Sequence, residues 1–234
     1  MYSVHDLVGA PGALRAKEQC IAWNLERWEN RLGPAWMPVL RELHEACVAD
    51  GGGLRRSAVT AFGREDASRL LVAAMAWGFG SVGYGPWRTA RMLETDGAAD
   101  ILTDIVDTVR RQGAAAGYRQ LWDGNRGRLR GLGVAFGTKL LYFAGLECAL
   151  SLRPLIYDTN VFKRLRSLHL GLPWAVPFAG IYAEQYDQYC RWAQEIAEEC
   201  EVEPDDVECA LFGSVAGPTA HKGGLLRSLS PAAK

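Results

Sequence analysis

The 234-residue chain has no cysteines at cluster spacing: Cys20, Cys47, Cys148, Cys190, Cys200 and Cys209 are scattered without one CxxC pair. Zinc knuckles and iron–sulfur clusters need closely spaced thiolates, so neither is expected. His5, His44, His169 and His221 show no metal-ligand spacing either. No apolar stretch reaches membrane-spanning length, and MYSVHDLVGAPGALRAKEQ lacks the basic start and continuous apolar run of a secretory signal. A cytoplasmic protein with no membrane partner is the expectation. Runs of alternating apolar and polar residues long enough to propose a sheet are also missing, which leaves an all-α fold.

Overall charge is nearly absent too, at −1, which by itself argues against a nonspecific polyanion binder. Its distribution is uneven. From Arg110 to Arg166 eleven Lys/Arg face only Asp123, Glu147 and Asp158, a net +8, whereas Ala183 to Cys209 sets ten acids against Arg191 alone, a net −9. A positive central region can neutralise phosphates while an acidic C-terminal part faces water; ordinary solvated faces would look the same.

What is present in quantity is helical pattern, in a chain that is 49% hydrophobic and long enough for one moderate domain or two small lobes sharing a cleft. Residues 1–14 read as an irregular arm. IAWNLERWENRL spaces Trp23, Leu25, Trp28 and Leu32 near the helical period, and Gly33-Pro34 ends it. PVLRELHEACVA forms a second helix, and the glycines at 51–53 make a flexible break that sets off residues 1–52 as an N-terminal helical segment. Residues 53–125 form a helical lobe beginning with EDASRLLVAAMAWGF, for which Asp66 or Ser68 serves as cap. C-terminal helices follow over 169–212, where Tyr182, Tyr186, Tyr189 and Trp192 recur at steps of three and four as a core stripe, one of which could line a pocket. Residues 213–234 read as a flexible tail.

Between these lies RGLGVAFGTKLLYFAGLECALSLRPLIYD, residues 130–158. Gly131, Gly133 and Gly137 open it; glycines before a helix let its N–H groups approach an anion, with the dipole favouring negative charge there. Lys139 follows among LLYFAGL neighbours, where burial favours a neutral, nucleophilic amine, and Asp158 closes the stretch ahead of NVFKRLR. Taken singly, Lys139 is a snorkelling lysine and Asp158 a helix N-cap. Taken together they make a nucleophile and a carboxylate able to steady a developing cation.

The same residues resemble the helix-hairpin-helix (HhH-GPD) superfamily of DNA glycosylases, most closely the 8-oxoguanine glycosylases and their bacterial anti-phage relatives. Phe136-Gly137-Thr138-Lys139 matches the hairpin glycine with the Schiff-base lysine two positions on, and Pro154 to Asp158 matches the apolar run before the catalytic aspartate. Where the family usually reads Gly-x-Gly, Ala135 takes the first glycine's place. The resemblance, which is motif-level over residues 126–168, implies a two-lobed helical architecture with a central cleft. It also implies a monomer acting on double-stranded DNA that carries a modified base, without metal or organic cofactor, with Lys139 and Asp158 catalytic and β-elimination open to the Schiff base. Gly131, Gly133, Gly137, Thr138, Arg126, Arg128 and Arg130 are then expected on the DNA backbone. The base is either 8-oxoguanine or a hypermodified phage base such as glucosylated hydroxymethylcytosine. A hairpin protein that only binds DNA is the alternative.

One further segment, AWGFGSVGYGPWRTARML, interleaves Trp77, Phe79, Tyr84 and Trp87 with glycines and ends in Arg88 and Arg91. Aromatic and arginine planes suit stacking on an unstacked base, so Trp77, Phe79, Tyr84, Trp87 and Arg88, with Asn160 beside Asp158, are candidate pocket or strand contacts. A tight interhelical turn whose aromatics fill the core is the other reading. Its GxGxxG carries no nucleotide-cofactor meaning without a preceding strand.

Overall fold

Polar caps and glycine or proline stops cut this chain into helices. The computed structural model describes residues 3–10, 13–122, 129–175 and 181–213. Among them run α1 (Val4–Val8), α2 (Leu25–Leu32), α3 (Met37–Ala49), α4 (Arg56–Phe62), α5 (Ala67–Phe79), α6 (Gly85–Leu93), α7 (Ala98–Gln112), α8 (Ala114–Trp122), α9 (Val134–Gly145), α10 (Thr159–Ser167), α11 (Ala183–Cys200) and α12 (Pro204–Gly213). Asp66 caps α5 by accepting from the N–H groups of Ser68 and Arg69. Residues 1–2, the arginines Arg126 and Arg128, and the tail from 214 lie outside the described residues.

The fold is all-α, with one addition to the sequence reading. Strand β1 (Cys20–Ala22) pairs antiparallel with β2 (Gly53–Arg55), matching Cys20 to Arg55, Ile21 to Leu54 and Ala22 to Gly53. Three residues a side are too few to leave a period-two signature, so a helix was expected to begin at Ile21, whereas α2 begins at Leu25. The arm before it likewise contains the short α1, capped by Ser3. No helix among the described residues is long and apolar enough to cross a membrane.

Helices α5 and α9 are buried on all sides, Leu70 to Trp77 in one and Gly137 to Gly145 in the other, and pack against each other at the centre. Helices α7 and α8 cover α9, α6 covers α5, and α11 and α12 close the far side. The N-terminal arm is drawn onto α12, where Asp206 accepts from the Ala16 N–H at 2.8 Å, and β1 passes the end of α5, where Ile21 lies against Gly80.

The run Leu155–Tyr157 is fully buried yet not helical, so its backbone groups need partners from elsewhere. Side chains supply them. The Tyr186 hydroxyl donates to Leu155 O at 2.7 Å and accepts from Leu155 N–H at 3.1 Å, Tyr189 donates to Ile156 O at 3.0 Å, and Thr138 Oγ1 accepts from Tyr157 N–H at 3.0 Å. Of the expected tyrosine stripe on α11, Tyr186 and Tyr189 thus hold this run, while Tyr182 is 70% exposed and outside the core.

Candidate active site

Helix α9 carries Lys139 inward, and the extended run before α10 delivers Asp158 to meet it. Lys139 Nζ lies 2.9 Å from Asp158 Oδ2, with the two residues only 5% and 8% exposed. The second carboxylate oxygen caps α10, Oδ1 accepting from Asn160 N–H at 2.9 Å and Val161 N–H at 3.2 Å. Capping and ion pairing therefore coexist on one side chain, each on its own oxygen. Burial alone would raise the Asp158 carboxyl, but the Lys139 charge and these hydrogen bonds outweigh it and hold the group below its ordinary value.

The closeness of α5 to this pair depends on Gly78. A Cβ there would stand 2.7 Å from Phe136 Cε1 and 3.0 Å from Lys139 Cδ, so only hydrogen leaves room for the lysine stem to pass. Thr138, next to Lys139, bonds to Tyr157, next to Asp158, and so fixes the register in which the two ionic side chains face one another.

The pair opens onto a cavity of about 460 Å³. Its wall takes Gln19 to Ala22 from the N-terminal arm and β1, Trp77 to Ser81 from the end of α5, Ile156, Asp158 and Asn160, and Glu208 and Phe212 from α12. Of the candidate contacts, Trp77, Phe79 and Asn160 are on this wall, Phe79 stacked on Phe136 with centroids 4.4 Å apart. Tyr84, Trp87 and Arg88 are not. The first two stand exposed on the surface beyond it, and Arg88 turns instead to the hairpin, donating to Gly131 O at 2.8 Å with its guanidinium over Phe136. None of Tyr182, Tyr186, Tyr189 and Trp192 lines it.

The hairpin turn itself is Leu129–Gly133. Gly131 takes φ +98°, a conformation that suits glycine, and Gly133 is the N-cap of α9, contributing no side chain. Arg130 is exposed beside it. Gly137 and Thr138, expected on the DNA backbone, lie buried within α9: the Gly137 N–H donates to Gly133 O, its missing Cβ admits Leu121, and the Thr138 hydroxyl bonds Val134 and Tyr157.

Sequence reasoning missed Gln19, Arg56 and Glu208. Arg56, 2% exposed, donates from Nε and Nη2 to Gln19 Oε1 at 2.9 and 2.7 Å and from Nη1 to Glu208 Oε2 at 2.7 Å. These partners are 37 and 152 residues away, beyond any periodic signal. Burial raises the Glu208 carboxyl despite the opposing charge of Arg56. A larger cavity, about 800 Å³, lies on the other side of Arg56, but its wall includes neither Lys139 nor Asp158, and its arginines Arg15 and Arg153 are already paired with Asp206, Glu203 and Asp205.

Compared with known proteins, residues 14–212 match the family described as "Putative 8-oxoguanine DNA glycosylase OGG-like protein". No curated protein and no solved structure matches the chain. The family match spans the arm carrying Gln19, the hairpin, the Lys139–Asp158 pair and Glu208, and the chain belongs to this OGG-like family of DNA glycosylases.

Proposed function

We propose that the protein excises a modified base from double-stranded DNA, with Lys139 as the nucleophile and Asp158 as the group that stabilises the sugar cation. The observation that carries this is the buried 2.9 Å contact between Nζ and Oδ2 on the wall of a cavity. A base stacked in a duplex shields its sugar carbon from such a pair, so the nucleotide is extruded into the cavity, whose size falls within the roughly 300–1,000 Å³ of small-ligand sites. Nζ first gives up a proton to water in the cavity. Its lone pair then bonds C1′ as the glycosidic bond breaks, the bonding electrons leave with the base, and the base takes up the proton that the newly formed ammonium sheds. Asp158 Oδ2, already turned toward Nζ, faces the positive charge that develops at the sugar. Opening of the sugar ring then gives a Schiff base, from which β-elimination can cleave the strand.

The turn of exposed Gly131 and half-buried Gly133 at the uncapped start of α9, with exposed Arg130 beside it, suits a flanking phosphate. The family description favours 8-oxoguanine as the base. The cavity volume also accommodates a bulkier base, which keeps glucosylated hydroxymethylcytosine and a role in defence against phage as the second arm of the test. A monomer working in the cytoplasm completes the reading.

Borohydride trapping is the experiment. Duplexes carrying 8-oxoguanine, glucosylated hydroxymethylcytosine or an abasic site are incubated with wild type and with Lys139→Gln. A covalent adduct is expected with wild type and none with Lys139→Gln. An adduct that survives the substitution moves the nucleophile elsewhere, and salt-dependent binding without any adduct leaves a hairpin protein that only binds DNA.

A further inference from the structure

We propose that Arg56 is a positioning residue that sets the polar edge of the cavity, holding Gln19 with its amide nitrogen toward the extruded base and Glu208 beside it as an acceptor. This rests on the reading of the cavity as a base pocket. A guanidinium only donates hydrogen bonds. With Nε and Nη2 both directed at one atom of Gln19, that atom has to be the carbonyl oxygen; turning the amide over would press its N–H groups against those of Arg56 in a site where Gln19 is 5% exposed. The amide oxygen is thereby consumed, and Nε2, which bonds to no described residue, is what Gln19 has left to offer the cavity it lines. Glu208 gives Oε2 to the same guanidinium and lines the same cavity.

The clamp is itself held fast. The guanidinium lies over the rings of both Trp77 and Tyr142, 5.1 and 4.8 Å from their centroids, so swinging to a second arrangement would cost it these contacts. The result is a donor next to an acceptor, drawn from the N-terminal arm and the last described helix and aligned by one cation. Such a pair complements a nucleobase at its Watson–Crick edge, where an acceptor adjoins an N–H donor, and an abasic sugar has no such edge. Arg56 should therefore matter for removing a base and not for the reaction of Lys139 with a sugar that has already lost one.

That separation is the test. Arg56→Lys keeps the charge without the fork, and Gln19→Met keeps the length without the amide while leaving the Arg56–Glu208 pair intact. Single-turnover excision is measured on whichever base-bearing duplex the wild type processes, and borohydride trapping on an abasic-site duplex. Each variant is expected to slow excision tenfold or more while abasic-site trapping stays within twofold. Excision within twofold of wild type in Gln19→Met, or an equal fall in both assays for a folded variant, overturns the inference. If Arg56→Lys does not fold, Gln19→Met decides alone. A wild type that traps abasic DNA but yields variants with unchanged excision sinks this inference only; a wild type inactive in both assays sinks the glycosylase reading and this one with it.

Discussion

Thr138→Val replaces one side chain by another of nearly the same shape and removes only the hydroxyl. In wild type that hydroxyl accepts from the Tyr157 N–H at 3.0 Å and lies 2.9 Å from Val134 O, with Thr138 and Tyr157 both fully buried. The substitution removes the acceptor that Thr138 offers the Tyr157 N–H in a place water does not reach, at a cost of about 1–3 kcal/mol. In a domain of this size each kcal/mol lowers Tm by roughly 2–4 °C, so a fall of about 4–8 °C is expected near the middle of that range. The stitch also joins the neighbours of Lys139 and Asp158, so trapping should slow as well. Thr138→Ser keeps the hydroxyl and should lose much less. Thermal unfolding of the three proteins, with DNA affinity measured alongside, separates this role from a DNA contact. A Thr138→Val protein with wild-type Tm but weakened DNA binding would refute the reasoning and restore Thr138 to the interface.

Gly78→Ala should have the opposite signature. A methyl there gains helix propensity of about 1 kcal/mol, yet it meets Phe136 Cε1 at 2.7 Å and Lys139 Cδ at 3.0 Å. Stability near wild type with trapping at least tenfold slower is expected; trapping at the wild-type rate would mean that the lysine stem has slack. Acid titration addresses the ion pair. The folded Asp158 carboxyl lies below its ordinary 3.8, so the pair's contribution is fully present above pH 3.8 and is lost as pH falls through the lower folded value. Urea unfolding of wild type and Asp158→Asn should therefore show a constant stability gap from neutral pH to about pH 5 that closes only in stronger acid; a gap that closes near neutrality would contradict the assigned ion pair.

The acidic C-terminal stretch, read as a solvated face, is only partly that. Asp205 and Glu208 are buried, Asp205 accepting from the Tyr142 hydroxyl at 2.7 Å and Glu208 from Arg56, so two of the ten acids belong to the core and to the cavity wall. Composition counts a charge without saying which way it points. The same holds for the aromatic-glycine segment, which divides between wall and surface: Trp77 and Phe79 at the end of α5 face the cavity, and Tyr84 and Trp87 beyond the turn face solvent.

The amino-acid order alone determines most of the helices, because a helix announces itself within one or two turns: an apolar period, the Asp66 and Asp158 caps, the Gly33-Pro34 stop. It also makes Lys139 and Asp158 stand out, through glycines before and a familiar interval between. Only the folded chain decides that Thr138 is a stitch, that Tyr186 and Tyr189 serve the backbone before Asp158, and that Gln19, Arg56 and Glu208 converge on one cavity. Those contacts join residues between 19 and 152 positions apart, set by how helices pack, and packing leaves no period in the sequence.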